Sequence, residues 1–154
     1  MATDLVELTR DVVQVRSEGE SVTRIELVNR RESIMGNWDA DRVQQVIDNL
    51  VGNALKYSPP LGKVTVTVDA LDSQAVISVA DEGPGISEAD RQNIFGAFFR
   101  TTDATSSQAP GLGLGLYICR ELVRAQDGSI EVAEAPGGGA EFRVLLPMIE
   151  ATES

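Results

Sequence analysis

Two asparagines and a lysine stand at helical spacing in the segment Asp39–Tyr57. Asn49 and Asn53 are four positions apart, and Lys56 follows. At about 100° per residue, the three side chains share one side of a helix, beside its apolar face. An amide oxygen suits Mg²⁺, which keeps several waters and phosphate oxygens, and a lysine can meet those phosphates as a point charge. The alternative is that these side chains lie on a solvent-exposed helix surface and have no function. Against it, asparagine has a low helix propensity away from the helix ends, so two of them cost stability.

A glycine-rich turn follows the predicted strand Ala75–Val79. It starts at Asp81, and Gly83 and Gly85 flank a proline. Two such glycines let the backbone turn tightly and let a flat ligand approach it. A carboxylate only accepts hydrogen bonds, so it would suit the exocyclic amine of adenine and reject the oxygen of guanine. A plain turn that begins with aspartate is the alternative.

A run of alternating glycines and leucines leads into the next predicted helix. Its members are Gly111, Leu112, Gly113, Leu114, Gly115 and Leu116. Bare N–H groups and a helix N-terminus favour anions. No Lys-Ser or Lys-Thr pair follows, so the run is no Walker A loop, and no strand precedes it as a dinucleotide fingerprint requires. Phosphate contact and a structural hinge both remain open.

A polar loop over residues 101–110 precedes that glycine run. It has no hydrophobic periodicity, so we expect it to be mobile. Arg100 stands at its root and could swing onto a terminal phosphate, or it is an ordinary surface arginine. The phenylalanines just before it are expected to anchor the core or a lid.

Composition limits the possible functions. The chain has 154 residues, 42% hydrophobic and 24% charged, which fits one soluble globular domain. The absence of a signal peptide or a long apolar run favours the cytoplasm, with a membrane anchor elsewhere on a longer parent chain as the open alternative. A net charge of −11 argues against nucleic acid as a partner. There is no histidine, and the single cysteine, Cys119, excludes a Cys-rich zinc site and is expected in the core.

The hydrophobic pattern predicts helices that interleave with a mostly antiparallel sheet, hence a two-layer α/β sandwich. Two of the strands should form an antiparallel hairpin across the turn near residue 72. We expect one domain over residues 1–147 and a frayed tail over 148–154. The predicted helices are 4–17, 39–57, 87–95 and 114–126, and the predicted strands are 22–28, 34–36, 64–68, 75–79, 129–133 and 141–146.

In their order, these blocks resemble the catalytic, ATP-binding domain of sensor histidine kinases in two-component signalling. The wider group includes gyrase, heat-shock chaperones and mismatch-repair ATPases. The resemblance runs from about residue 4 to 147 and implies the Bergerat fold: a mixed, mostly antiparallel sheet of about five strands, backed by three helices, with a mobile ATP lid. The matching blocks are Asp41–Tyr57 (N box), Asp81–Gly85 (first glycine box), Ile94–Arg100 (F box) and Gly111–Leu116 (second glycine box).

The resemblance also implies roles for the residues. Asn53 would bind Mg²⁺, Asp81 would read the adenine amine, and Tyr57 would lie near the ribose or base. The group with catalytic roles would be Asn49, Lys56 and Arg100. The full set of ATP contacts would be Asn49, Asn53, Lys56, Tyr57, Asp81, Gly83, Gly85, Ile86, Arg100, Gly111, Leu112, Gly113, Leu114, Gly115 and Leu116.

The residue type at position 49 distinguishes classes of protein within this group. ATP-hydrolysing relatives and anti-sigma serine kinases carry glutamate there, and asparagine cannot take a proton. This favours a histidine kinase, whose acceptor is already nucleophilic. Three departures from the family pattern are Gly96, the segment 126–128 and Ala140, which stands where a threonine often supports the adenine site.

Because the chain has no histidine, the phosphoacceptor must lie on a separate dimerisation domain, with a response regulator as the indirect partner. The catalytic piece itself is expected to be monomeric. The alternatives are a nucleotide-binding or partner-docking module without transfer, an anti-sigma-type serine kinase, and a plain structural domain.

Overall fold

The computed structural model describes residues 2–18, 24–60, 62–91, 93–96 and 115–148. Several predicted features lie outside these ranges: Arg100, the loop over 101–110, residues 111–114 of the glycine run, and the tail from 149. They remain predictions from the sequence.

Two sheets and four helices make up the described part of the chain. The helices are α1 (Leu5–Glu18), α2 (Ala40–Tyr57), α3 (Glu88–Arg91) and α4 (Gly115–Arg124). The strands are β1 (Thr3–Asp4), β2 (Ile25–Asn29), β3 (Met35–Gly36), β4 (Val64–Leu71), β5 (Gln74–Ala80), β6 (Ser129–Glu134) and β7 (Ala140–Pro147).

The main sheet has five strands in the order β2-β4-β5-β7-β6. Only β2 and β4 run parallel, and the β4–β5 pair is the predicted antiparallel hairpin. The register places Val68, Ile77 and Val144 side by side on one face. All three are buried, whereas Thr67 and Ser78 on the other face are partly exposed.

The helices α1, α2 and α4 cover the apolar face of this sheet and complete the predicted two-layer sandwich. The central helix α2 carries the apolar stripe that its sequence predicts. Its buried residues are Val43, Val46, Ile47, Leu50, Val51 and Ala54. Burying each of the larger ones contributes roughly 1.5–3 kcal/mol, so the position of α2 on the sheet is strongly fixed. No helix in the described part of the chain is long and apolar enough to cross a membrane.

The structure differs from the sequence prediction in the helix expected to end near Phe95. The helix α3 stops at Arg91, and tight turns follow, in which the N–H groups of Asn93 and Gly96 donate to carbonyls three residues earlier. Glycine and asparagine favour such turns over a continued helix. This turn buries Ile94 and sets the Phe95 ring edge-to-face against Phe142, with centroids 6.0 Å apart.

The start of the first helix and the end of the last helix also differ slightly from expectation. Thr3–Asp4 pair with Met35–Gly36 as a two-residue strand, while the Asp4 carboxylate still caps α1 by accepting from Val6 N–H at 3.0 Å. The last helix ends at Arg124 because Asp127 takes a left-handed φ of 64°, which a continuing helix excludes.

Candidate functional site

The helix α2 presents its predicted polar residues at the edge of its buried stripe. It begins at the N-cap Asp39, whose carboxylate accepts from Arg42 N–H at 3.3 Å. Asn49 and Asn53 are both half-buried, at the border between core and solvent. The amide of Asn53 forms no hydrogen bond with the described residues, and its polar atoms are not sealed from solvent. Asn53 is therefore available to a ligand.

Asn49 faces the last helix of the layer. Its side chain hydrogen-bonds to the thiol of Cys119, which is fully buried on α4. Burial raises the pKa of this thiol to about 11, against the opposing effect of the Asn49 hydrogen bond. Cys119 also lies 3.9 Å from the carbonyl oxygen of Val46. The start of α4, with Gly115 and Leu116 one turn earlier, is thereby held beside the middle of α2.

The C-terminal end of α2 carries the two remaining predicted residues. Lys56 and Tyr57 are exposed, Tyr57 at 46%. Lys56 makes no ion pair within the described residues. An unpaired cation at this end of the helix can meet an anionic ligand without first breaking a contact.

Asp81 is the most constrained polar residue of the site. It is 7% exposed, and its Oδ1 accepts hydrogen bonds from Gly83 N–H at 2.9 Å and Ala140 N–H at 3.1 Å. Its Oδ2 has no partner among the described residues, yet it is not sealed from solvent. One carboxylate oxygen therefore fixes the side chain, and the other is presented to a hydrogen-bond donor.

Three glycines shape the backbone around that carboxylate. A β-carbon on Gly83 would stand 2.6 Å from the Tyr57 carbonyl oxygen and 3.2 Å from Asp81 Oδ1. Gly139 lies against Asp81 from the opposite side, and Gly85 packs on Gly139 with a φ of 81°. Side chains at Gly83 or Gly139 would displace this turn, so the position of the Asp81 carboxylate depends on glycine there.

The same turn is joined to the end of α2. Ser58 is buried, and its Oγ accepts from Glu82 N–H at 3.0 Å. The Glu82 carboxylate accepts from Lys63 N–H at 3.0 Å. These two contacts join the C-terminal end of α2 to the acidic turn, which lies more than twenty residues further along the chain.

Sequence reasoning missed two residues of this site. Ser58 follows the predicted helix 39–57 directly, and Gly139 lies between the predicted strands 129–133 and 141–146; neither was assigned to the site. The structure gives Gly137, Gly138 and Gly139 φ values of 85°, 99° and 86°. Nothing in the sequence indicated which of these glycines would touch Asp81.

A metal at this surface would have few protein ligands. No cluster of three or more acidic, cysteine or histidine side chains exists within the described ranges. A single amide ligand is compatible with Mg²⁺, which usually retains waters and phosphate oxygens. The open amide of Asn53 fits that mode of binding.

This fold and this site place the chain in a known family. Residues 38–150 match the family described as "Histidine kinase-, DNA gyrase B-, and HSP90-like ATPase". The match covers more than half of the chain, so the chain belongs to this family, and membership implies that it binds ATP.

Sensor histidine kinases are among the similar proteins. The sensor histidine kinase WalK of Bacillus subtilis is 40% identical over 117 residues, which are 75% of this chain and 19% of WalK. The catalytic domain of histidine kinase ThkA superposes with a TM-score of 0.83 at 29% identity, covering 96% of this chain and 95% of that domain. Full-length ShkA, solved in complex with AMPPNP, matches with a TM-score of 0.78 at 32% identity, over 98% of this chain and 31% of ShkA. The chain thus spans about a fifth of the length of the relative WalK.

Proposed function

We propose that this chain binds Mg²⁺-ATP and donates the γ-phosphate to a histidine on a separate dimerisation domain of a two-component sensor kinase. The observation that carries the proposal is the Asp81 carboxylate, with Oδ1 held by two N–H groups and Oδ2 open. The turn that carries this carboxylate is joined to the end of α2 through Ser58 and Glu82, and α2 carries the open amide and the unpaired lysine. The AMPPNP complex of ShkA, an adenine nucleotide bound by a relative of the same fold, supports it.

The base would be recognised at the acidic turn. Asp81 Oδ2 accepts from the exocyclic amine of adenine, whereas the 6-oxo group of guanine would face it with a second acceptor. The flat ring would lie against the backbone of the turn at Gly83 and Gly85, with Ile86 and Tyr57 beside it. Ile86 is half-buried against the core, which gives the base an apolar contact on a fixed support.

The phosphates would be held along α2. Asn53 offers an amide oxygen to Mg²⁺, and Lys56 brings a positive charge to the phosphate oxygens. When bound, Mg²⁺ neutralises part of the negative charge that develops on the transferred group. The positive charges of Mg²⁺ and Lys56 are needed because the chain has a net charge of −11, which repels the negatively charged phosphates of a nucleotide.

The residue type at position 49 bears on whether the site transfers the phosphate or hydrolyses ATP. An amide can position a group by hydrogen bonds but cannot remove a proton from water. A histidine acceptor is itself a nucleophile and does not require a base at this position. Asn49 therefore favours transfer to histidine over an ATPase or an anti-sigma serine kinase.

Two further groups would contact the phosphates, and the first of them is proposed from the sequence alone. Arg100 and the glycine run 111–114 would approach the phosphates from the segment that follows the F box. Gly115 and Leu116 begin α4 beside α2, where the N-terminus of this helix favours an anion.

The histidine that accepts the phosphate and the response regulator that receives it next would belong to other domains or proteins. The chain contains no histidine, so transfer needs a histidine-bearing domain, and a response regulator would follow. We place the site on the cytoplasmic side, because Mg²⁺ and ATP are supplied there. The catalytic piece would be monomeric, with dimerisation supplied by the acceptor domain.

Calorimetric titration with ATP, ADP and GTP, with and without Mg²⁺, tests the binding step. Adenine-selective binding that strengthens with Mg²⁺ is expected. Failure to bind any nucleotide would contradict the proposal and favour a partner-docking module. Transfer is tested by mixing the chain with the histidine-bearing domain of its parent kinase and labelled ATP, where an acid-labile phosphate on that domain is expected.

A further inference from the structure

Arg24 ties the end of α2 to the loop that follows it. The residue stands directly before β2, and its guanidinium donates to three main-chain carbonyls in the segment 55–62. Nε donates to Gly62 at 3.0 Å, and Nη2 donates to Pro59 at 2.9 Å and Leu55 at 3.3 Å. Its own carbonyl accepts from Val64 N–H at 2.8 Å. Both the side chain and the main chain of Arg24 therefore hold the path from helix to strand.

The physical reason for an arginine is the chemistry of a helix end. The last carbonyls of a helix lack partners within the helix, and the helix dipole favours a cation there. The planar guanidinium has five donors in a fixed fork, which can serve several carbonyls at once. A lysine would keep the charge but could not reproduce this set of contacts.

The segment that Arg24 fixes also contacts the acidic turn. Ser58 Oγ accepts from Glu82 N–H, and Lys63 N–H donates to the Glu82 carboxylate, both at 3.0 Å. Glu82 is the residue next to Asp81. The position of the proposed base-reading carboxylate is therefore coupled to Ser58 and Lys63, although Arg24 does not touch the carboxylate.

We propose that Arg24 is a positioning residue for the base-binding end of the site. It fixes the chain around Ser58 and Lys63, which hold Glu82 and with it the direction of the Asp81 carboxylate. This inference rests on the proposed function, because it assigns to Arg24 an effect on adenine recognition. Loss of the arginine should loosen the base contact and leave the phosphate contacts along α2 in place.

The test compares the affinities of ADP and inosine diphosphate in the wild type and in Arg24→Gln. Inosine carries an oxygen where adenine carries the amine, so the ratio of the two dissociation constants measures base reading alone. We expect the dissociation constant for ADP to rise about fivefold to tenfold in the variant, the effect of weakening one hydrogen bond. The ratio between the two nucleotides should fall toward one.

Arg31→Gln is the matched control. Arg31 follows the same strand β2 at its other end and also makes long-range contacts, to Asp69 Oδ1 at 3.3 Å and the Ala70 carbonyl at 3.0 Å. It should cost similar thermal stability and leave both dissociation constants unchanged. If Arg24→Gln does not fold, Arg24→Lys replaces it, since it keeps the charge and loses the fork.

The outcomes separate the inference from the proposed function. A wild type that does not prefer ADP contradicts the proposed function itself. A wild type that prefers ADP, with an Arg24 variant of the same preference, overturns only the inference. The inference is overturned equally if ADP affinity falls while the ratio stays constant, because that is a general effect of stability.

Discussion

Gly139 lies so close to Asp81 that a β-carbon on it would overlap the Asp81 carbonyl oxygen. The next residue, Ala140, donates its N–H to Asp81 Oδ1 and accepts from Asp81 N–H at 2.9 Å. The loop between β6 and β7 therefore supports the carboxylate from behind. The direction of the proposed adenine-reading group is set by main-chain atoms, which cannot turn away as a side chain could.

Gly139→Ala should damage the nucleotide site more than it damages the fold. A β-carbon would push the Asp81 backbone away, and it would also strain a φ of 86°. We expect ADP affinity to fall at least about tenfold, which corresponds to about 1.4 kcal/mol. Calorimetry on the variant gives the affinity, and thermal unfolding gives the loss of stability.

Gly137→Ala is the control for the strain. Gly137 has a φ of 85°, and a β-carbon there meets no atom within 4 Å. This variant should lose about 1–2 kcal/mol of stability from the left-handed backbone and keep its affinity for ADP. Equal affinities in the two variants would show that the contact with Asp81 has no part in binding.

Asp81→Asn should change the choice of base while the fold is retained. The amide oxygen of asparagine can take the place of Oδ1 and accept from Gly83 and Ala140, so the backbone contacts survive. The amide nitrogen then replaces Oδ2 and presents a donor to the amine of adenine. ATP affinity should fall by more than about 1.5 kcal/mol, because two donors would face each other without an acceptor.

The same substitution should improve binding of a 6-oxopurine nucleotide, whose oxygen can accept from the new amide. Titrations of both proteins with ATP and inosine triphosphate measure this directly. Unchanged ATP affinity in Asp81→Asn would disprove the assigned role of Asp81.

The architecture follows from the sequence to the extent that its patterns are periodic. The central helix was predicted within one residue, because its apolar residues recur at helical spacing. The structure makes Asp39 its N-cap instead of its first helical residue. The β4–β5 hairpin was likewise predicted from its own pattern, two apolar strand runs across the turn near residue 72. The helix predicted to Phe95 was wrong in length, since the turns that bury Ile94 replace it. Contacts between distant segments overrode the local pattern there.

The sequence proposes the candidate site as a set of residues and does not predict how they are arranged. Asn53, Lys56 and Asp81 were named because their types suit magnesium, phosphate and adenine. Gly139 lies against Asp81, and Arg24 contacts the end of α2 and the residues after it; both contacts depend on which strands are neighbours. The parallel β2–β4 pair places Arg24 beside the end of α2, and no local pattern indicated that pairing.

Asn49→Glu should raise ATP hydrolysis by the chain. A carboxylate at this half-buried position could accept a proton from water, as the amide cannot. General-base catalysis contributes about 10²–10⁴-fold where the geometry is good, so even a poorly aligned glutamate should give a measurable increase. Release of inorganic phosphate at saturating Mg²⁺-ATP measures it, and Asn49→Gln, which has the length of glutamate without its basicity, is the control.

A turnover in Asn49→Glu that equals that of Asn49→Gln would remove the assigned role of Asn49. Nucleotide affinity has to be measured in parallel, because the variant also breaks the hydrogen bond between residue 49 and the Cys119 thiol. Hydrolysis is therefore compared at full saturation of each protein.

Cys119 predicts a fall in stability at alkaline pH. Its pKa rises from the usual 9.0 to about 11 because the folded protein buries the thiol. Below pH 9 the thiol is protonated in both states, and between pH 9 and 11 only the unfolded state releases the proton.

The free energy of unfolding should therefore decrease as the pH rises through this interval, by roughly 2–3 kcal/mol in total from this group. Urea unfolding of the wild type and Cys119→Ala at several pH values isolates the effect, since the two proteins differ only in this side chain. The stability advantage of the wild type should shrink between pH 9 and 11. A difference between the two proteins that stays constant with pH would mean that the thiol ionises as easily in the folded state as in the unfolded state.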